Sequence, residues 1–298
     1  MKFALSFLVV FAAICVGVQF CDASTTADIV YLAYHRRQPR LFELLRKYLI
    51  WPPDIILADL KTYSPAEKFS PFIVGGDPTT IDAFPYQLSL RYAGNHICGA
   101  SIISNKWAVS AAHCLDEGFS PAWITLRGGS PHRIEGGYVF HVVEYIIHEK
   151  YEKETFNYDV TVLRISENFL IDFLAPIKLV DNTITTGCPD QLATVIGWGT
   201  AEDSYVPLIL QELQVLIQPR KVCEAVWIEQ ITDTMICAGG VVGEDTCNGD
   251  SGGPLICNGY QVGIVSWGSR KCAIEMPAVF TDVANVEIRD FIRNKTGV

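Results

Sequence analysis

Between Ile73 and Phe280 the chain is cut into short runs rich in β-branched and aromatic residues, each bounded by turn formers. The runs lie at 86–91, 100–103, 107–110, 123–127, 138–148, 161–165, 193–196, 211–217, 261–266 and 278–281. Runs of this length and make-up specify strands, so the pattern predicts an all-β fold and nothing finer. Helical spacing is convincing only at the end, over 283–293, where Val286, Ile288, Phe291 and Ile292 supply one apolar face.

A 298-residue chain that is 49% hydrophobic and 19% charged has the make-up of a globular protein, with room for one large domain or two. Its net charge of -10 argues against nucleic acid or an anionic membrane as partner, because a phosphate footprint needs a basic face. Ten cysteines with no Cys-x-x-Cys pair point to disulfides rather than metal, and the histidines also lack ligand spacing. No cofactor is implied.

The N-terminus reads as a separate segment. Lys2, the apolar run 3–18 and Cys21-Asp22-Ala23 form a signal-peptide pattern over 1–23, which implies secretion. The alternative is a membrane anchor, since the run is near the lower length for a span. A cut after Gly17 instead would leave Cys21 behind. Residues 24–72 contain neither cysteine nor glycine, and their charge is mostly basic. Pro39, then Leu41, Leu44, Leu45, Tyr48 and Leu49, then Pro52 and Pro53, predict one short amphipathic helix. The plain reading is a prosegment that docks on the following domain. The sharper one is that Arg46 and Lys47 act on a membrane or partner after release.

Chemistry is concentrated in 247–254, Cys-Asn-Gly-Asp-Ser-Gly-Gly-Pro. A serine hydroxyl is a weak nucleophile without a base and without donors for the developing oxyanion. Ser251 has candidates for both: the backbone N–H groups of Gly249 and Ser251 as donors, and a histidine elsewhere in the chain.

Six motifs carry a resemblance: Ile73-Val-Gly-Gly, Ala111-Ala112-His113-Cys114, Asn157-Tyr158-Asp159-Val160, Gly197-Trp198-Gly199, the 247–254 octapeptide and Ser266-Trp267-Gly268. As an ordered set over 73–298 they resemble the trypsin-like, chymotrypsin-fold serine endopeptidases. The resemblance implies two six-stranded antiparallel β-barrels with the active site in the cleft between them, followed by a C-terminal helix. It implies His113 as general base, Asp159 as the acid that orients it and Ser251 as nucleophile, with Gly249 and Ser251 forming the oxyanion hole. It further implies a zymogen cut between Phe72 and Ile73, whose new ammonium pairs with Asp250. Phe72 departs from the Arg or Lys usual at such a site, so a separate activating protease is expected.

The family's specificity region corresponds to Asp245, Ser266, Trp267, Gly268 and Ala278. Asp245 implies cleavage after Arg or Lys. Ala278, where the family usually has glycine, and Phe280, where it has tyrosine, predict a reduced or skewed basic preference. The rival readings are a chymotrypsin-like or narrow-specificity protease and an idle homologue that binds a partner. By resemblance Cys98 pairs with Cys114, Cys223 with Cys237, and Cys247 with Cys272. Cys188 and Cys257 are left over; a shifted bridge is expected, two free thiols being the alternative. His96, His132, His141 and His148 read as structural. Asn294-Lys295-Thr296 is a glycosylation sequon. The expected partners are protein or peptide substrates, the activating protease and protein inhibitors, with the enzyme a monomer. Activity should fall below about pH 6.5 as His113 protonates, and again at alkaline pH as the Ile73 ammonium loses its proton.

Overall fold

Alternation builds the first barrel. In β6 (Tyr138–Ile147) Phe140 and Val142 are buried while Val139, His141 and Val143 stay exposed, the period of two that puts alternate side chains on opposite faces. β2 (Gln87–Tyr92), β3 (Asn95–Ile102), β4 (Trp107–Ser110), β5 (Ile124–Gly128), β6 and β7 (Thr161–Ile165) close in the order β2-β3-β4-β7-β6-β5. The β2–β3 hairpin turns on Ala93 and Gly94, both at positive φ, the geometry that matches the twist of paired strands. Leu88, Leu90, Ile102, Leu126 and Leu163 fill the interior. Burying each stabilises the fold by about 1.5–3 kcal/mol.

The computed structural model describes residues 76–180, 188, 191–199, 207–240, 250–269 and 276–298. The expected signal peptide and prosegment, with Phe72, Ile73, Asp245, Cys247, Gly249 and Cys272, lie outside them.

The second sheet runs β1-β10-β9-β12-β13-β14-β11 through β1 (Asp77–Pro78), β9 (Leu192–Gly197), β10 (Gln211–Leu216), β11 (Met235–Gly239), β12 (Pro254–Cys257), β13 (Tyr260–Trp267) and β14 (Pro277–Asp282). Its ring of six, β10 to β11, returns on itself through the bridge Ile217–Ala238, the Gln218 N–H donating to the Cys237 carbonyl at 2.9 Å and the Gln218 side-chain amide donating to the Gly239 carbonyl at 2.8 Å. Two details differ from a pair of purely antiparallel six-stranded barrels. β1 is an extra edge strand, and β8 (Lys178–Leu179) pairs with β13 in parallel. Both are two-residue strands with no readable periodicity.

Among the described residues the α-helices are α1 (Arg220–Val226) and α2 (Val286–Thr296). Sequence spacing places the last helix over 283–293, but the Val283 N–H still pairs with the Val262 carbonyl, so helix begins only after Asn285. The Asn285 side chain caps it, accepting from the Glu287 and Ile288 N–H groups, and Gly297 ends it at φ 78°. Ile288, Phe291 and Ile292 face the core. Three disulfides staple the described residues: Cys98–Cys114, Cys188–Cys257 and Cys223–Cys237. The leftover pair is thus joined.

Candidate active site

His113 sits on a 3₁₀ turn, Ala112–Cys114, directly after β4. The bridge from Cys114 to Cys98 ties that turn to β3. Asp159 lies just before β7 and is fully buried, whereas the His113 side chain keeps 19% of its surface open. Two hydrogen bonds join them. The His113 backbone N–H donates to Asp159 Oδ1 at 2.9 Å, and the ring Nδ1 meets Oδ2 at 2.7 Å. An ionised carboxylate can only accept, so Nδ1 carries the proton in this contact and Nε2 is left to accept one.

Burial opposes charge on the imidazole, but the Asp159 charge and its hydrogen bond, together with the charge of Asp116, outweigh it, and the His113 pKa is raised above the ordinary histidine value. Two further strands hold the acid. Ser266 Oγ on β13 donates to Asp159 Oδ2 at 2.5 Å, and Thr281 Oγ1 on β14 donates to the Asp159 carbonyl at 2.7 Å. The carboxylate is therefore oriented by three donors, from the His113 turn and from the second sheet. Phe156 packs its ring edge-on to the imidazole with centroids 5.4 Å apart.

Ser251, half-buried, occupies the turn before β12. Its carbonyl accepts the Gly99 N–H at 2.7 Å, beside Cys98, so the serine turn is pinned to the strand that also anchors the histidine turn. No hydrogen bond joins Ser251 Oγ to His113 Nε2 among the described residues. Gly252 is required for this approach: φ is 79°, and a Cβ would stand 2.1 Å from Ser110 Oγ and 2.5 Å from the Gly99 carbonyl. Next to the serine, the buried Asp250 carboxylate accepts the Gly199 N–H at 2.8 Å. It lies so close to Gly197 and Gly199 that a Cβ on either would overlap it.

Residues 73–292 match the family model described as Trypsin. The chain belongs to the trypsin family. It is similar to the trypsin of Sarcophaga bullata, 41% identical over 72% of this chain and 85% of that one. It is similar also to trypsin alpha of Drosophila melanogaster, 40% identical over 71% and 83%, and to trypsin delta of that species, 39% identical over 71% and 84%. A trypsin-family chain with this fold is a serine endopeptidase, a hydrolase of protein substrates.

Within this trypsin-family site the specificity region is described in part. Trp267 sets its ring edge-on to Trp227 at 4.9 Å, and the Trp227 Nε1–H donates to the Pro277 carbonyl at 2.9 Å. Ala278, buried on β14, lies across from Gly268, where a Cβ would come within 3.9 Å of the alanine methyl. Ser266, grouped by sequence with Trp267 and Gly268, also bonds the catalytic acid candidate. Sequence reasoning missed that contact and the ones made by Thr281 and Phe156. Nothing local signals the Thr281 contact, and for Phe156 the only cue is that it lies three residues before Asp159.

Cys98, His113 and Cys114 cluster closely, but the two sulfurs are spent in a disulfide and Nδ1 is spent on Asp159, so the group is not a metal site. Asn294 is exposed in the last turn of α2, and Thr296 of the sequon donates its hydroxyl to the Ile292 carbonyl at 2.7 Å. No helix among the described residues is long and apolar enough to cross a membrane.

Proposed function

We propose that the protein is a secreted serine endopeptidase, made as a zymogen with a signal peptide over 1–23 and a prosegment over 24–72, that cleaves after Arg or Lys through His113, Asp159 and Ser251. The observation that carries this reading is the fully buried Asp159 carboxylate bonded to both the backbone and the ring of His113. That arrangement fixes the tautomer in which Nε2 accepts a proton.

In the first half-reaction Ser251 Oγ bonds to the substrate carbonyl carbon as its proton passes to His113 Nε2. The carbonyl oxygen becomes an oxyanion, which takes the N–H donors of Gly249 and Ser251. Collapse breaks the C–N bond, and the proton on Nε2 goes to the leaving amine. Water then attacks the acyl-serine ester, giving a proton to His113 that is returned to Ser251 as the acid product leaves. Asp159 stays ionised throughout and stabilises the imidazolium.

Activation follows from the buried Asp250. Cleavage between Phe72 and Ile73 frees an ammonium that pairs with this carboxylate, and the adjoining backbone of Gly249 and Ser251 takes up oxyanion-hole geometry. Asp245 at the base of the primary pocket selects the cation, and the Ala278 methyl narrows the space available to it.

The test is kcat/KM of the chain cut at 72–73 on peptides differing only in the residue before the scissile bond, with Arg, Lys, Phe, Leu and Ala compared. Preference for Arg and Lys is expected. Preference for Phe or Leu would refute the role of Asp245 and favour the reading in which Ala278 blocks the cation. Failure of a covalent serine probe to label Ser251 after cleavage would refute the enzyme mechanism and favour an idle homologue.

A further inference from the structure

Asp159 hangs between two neighbours that are both held by His148. Tyr158, on one side, stacks its ring on the His148 imidazole with centroids 4.7 Å apart and planes 23° apart. Val160, on the other, accepts the His148 N–H through its carbonyl at 3.1 Å. The Tyr158 carbonyl takes the Val160 N–H at 2.8 Å, closing a tight loop around the acid. His148 is itself buried and packs on Phe291 of α2 at 4.7 Å.

Tyr158 has φ 54°, a left-handed conformation that a bulky aromatic residue adopts only when its surroundings impose it. The surroundings here come from two segments, the turn after β6 and the helix α2. The His148 ring covers one part of it. Lys150 places Nζ 5.3 Å from the ring centroid, within reach of a cation–π contact. The Tyr158 hydroxyl donates to Glu287 Oε1 at 3.0 Å, in the first turn of α2, and Glu287 is also ion-paired with Lys150. None of these residues touches the reacting atoms.

We propose that Tyr158 is a positioning residue for the catalytic acid: its ring, clamped by His148 and Lys150 and tied through Glu287 to the C-terminal helix, holds the left-handed backbone that aims the Asp159 carboxylate at His113. The proposal rests on the Ser-His-Asp reading given above. It makes the docking of α2, more than 120 residues further along the chain, part of the active-site geometry.

Its test compares Tyr158→Ala, Tyr158→Gly and Tyr158→Phe in the full chain cut at 72–73, with the concentration of competent sites set by titration with a covalent serine probe. Alanine removes the clamp and keeps the backbone penalty, whereas glycine removes both. Tyr158→Ala is expected to lose about tenfold or more in kcat with KM little changed. The acid limb of kcat/KM should move to lower pH, because a misaimed Asp159 no longer raises the His113 pKa. Tyr158→Gly should recover part of that loss, and Tyr158→Phe, which keeps the stack, most of it.

A purely structural role would lower the melting temperature and leave the acid limb where it was, and that result overturns the proposal. So does a glycine variant no better than alanine. Should the alanine chain fail to fold, the phenylalanine and glycine variants still decide, since equal kcat and equal acid limbs in both and in the parent would sink the idea. A parent chain that the probe does not label would overturn the triad reading and this proposal together; a labelled parent with indifferent variants overturns this proposal alone.

Discussion

Gly199→Ala isolates the link between Asp250 and catalysis without touching the His113–Asp159 pair. A Cβ at Gly199 would stand 2.2 Å from Asp250 Oδ2 and 2.4 Å from its Cγ. Non-bonded heavy atoms come to rest at about 3.5 Å, so the carboxylate must retreat by about 1 Å or more. That retreat breaks the 2.8 Å bond from the Gly199 N–H and leaves a buried carboxylate short of a donor, at a cost of about 1.5–3 kcal/mol. Asp250 adjoins Ser251, so the displacement also shifts the N–H that would face the oxyanion. Loss of one such donor is worth about 10²–10³ in kcat. The expected outcome is a fall in kcat/KM of about 100-fold on a peptide amide, with slower labelling by a covalent serine probe and an acid limb unchanged from the parent. The limb should hold because His113 and Asp159 are positioned by other elements. A kcat/KM within about threefold of the parent would refute the coupling of Asp250 to the oxyanion hole.

Three further outcomes follow from single contacts. Ser266→Ala deletes the 2.5 Å donor to Asp159 Oδ2 and should lower kcat about tenfold with KM nearly constant; an effect confined to KM would return Ser266 to the substrate pocket. The acid limb of kcat/KM should have its midpoint above the ordinary histidine value of about 6.5, because the pKa of His113 is raised and activity is lost as pH falls through it; a midpoint at or below 6.5 would contradict the His113–Asp159 pairing. Asp282 is pushed up by burial to about 6, so its share of stability is complete below the ordinary carboxylate range near 4 and vanishes as pH rises through 6. Asp282→Asn should therefore stabilise the protein by up to about 3 kcal/mol at pH 8 and hardly at pH 4, and equal melting temperatures for the two chains at pH 8 would rule it out.

Much of the fold was legible because strands announce themselves by alternation, and β4 and β7 begin and end where the sequence pattern puts them. β11 and β12 went unread. Met235–Gly239 contains two small residues and a glycine, and Pro254–Cys257 opens on a proline, so neither has the period or composition of an ordinary strand. They are strands because β13 and β14 offer them backbone partners. Local sequence carries no record of a partner that lies elsewhere in the chain.

By itself, the order of residues determined the all-β class and a helix near the end, which depend on neighbours a few positions away, and its ordered motifs, by resemblance, the candidate identities of His113, Asp159 and Ser251. Only the tertiary structure decided what surrounds the acid. Ser266 lies 107 residues from Asp159 and Thr281 lies 122, yet both bond it, because β13 and β14 pass behind the loop before β7. The bridge between Cys188 and Cys257, 69 residues apart, is of the same kind. Chemistry that needs only a residue type and its immediate neighbours can be read along the chain. Chemistry that needs a hydrogen bond between distant strands exists only once the sheets have closed around it.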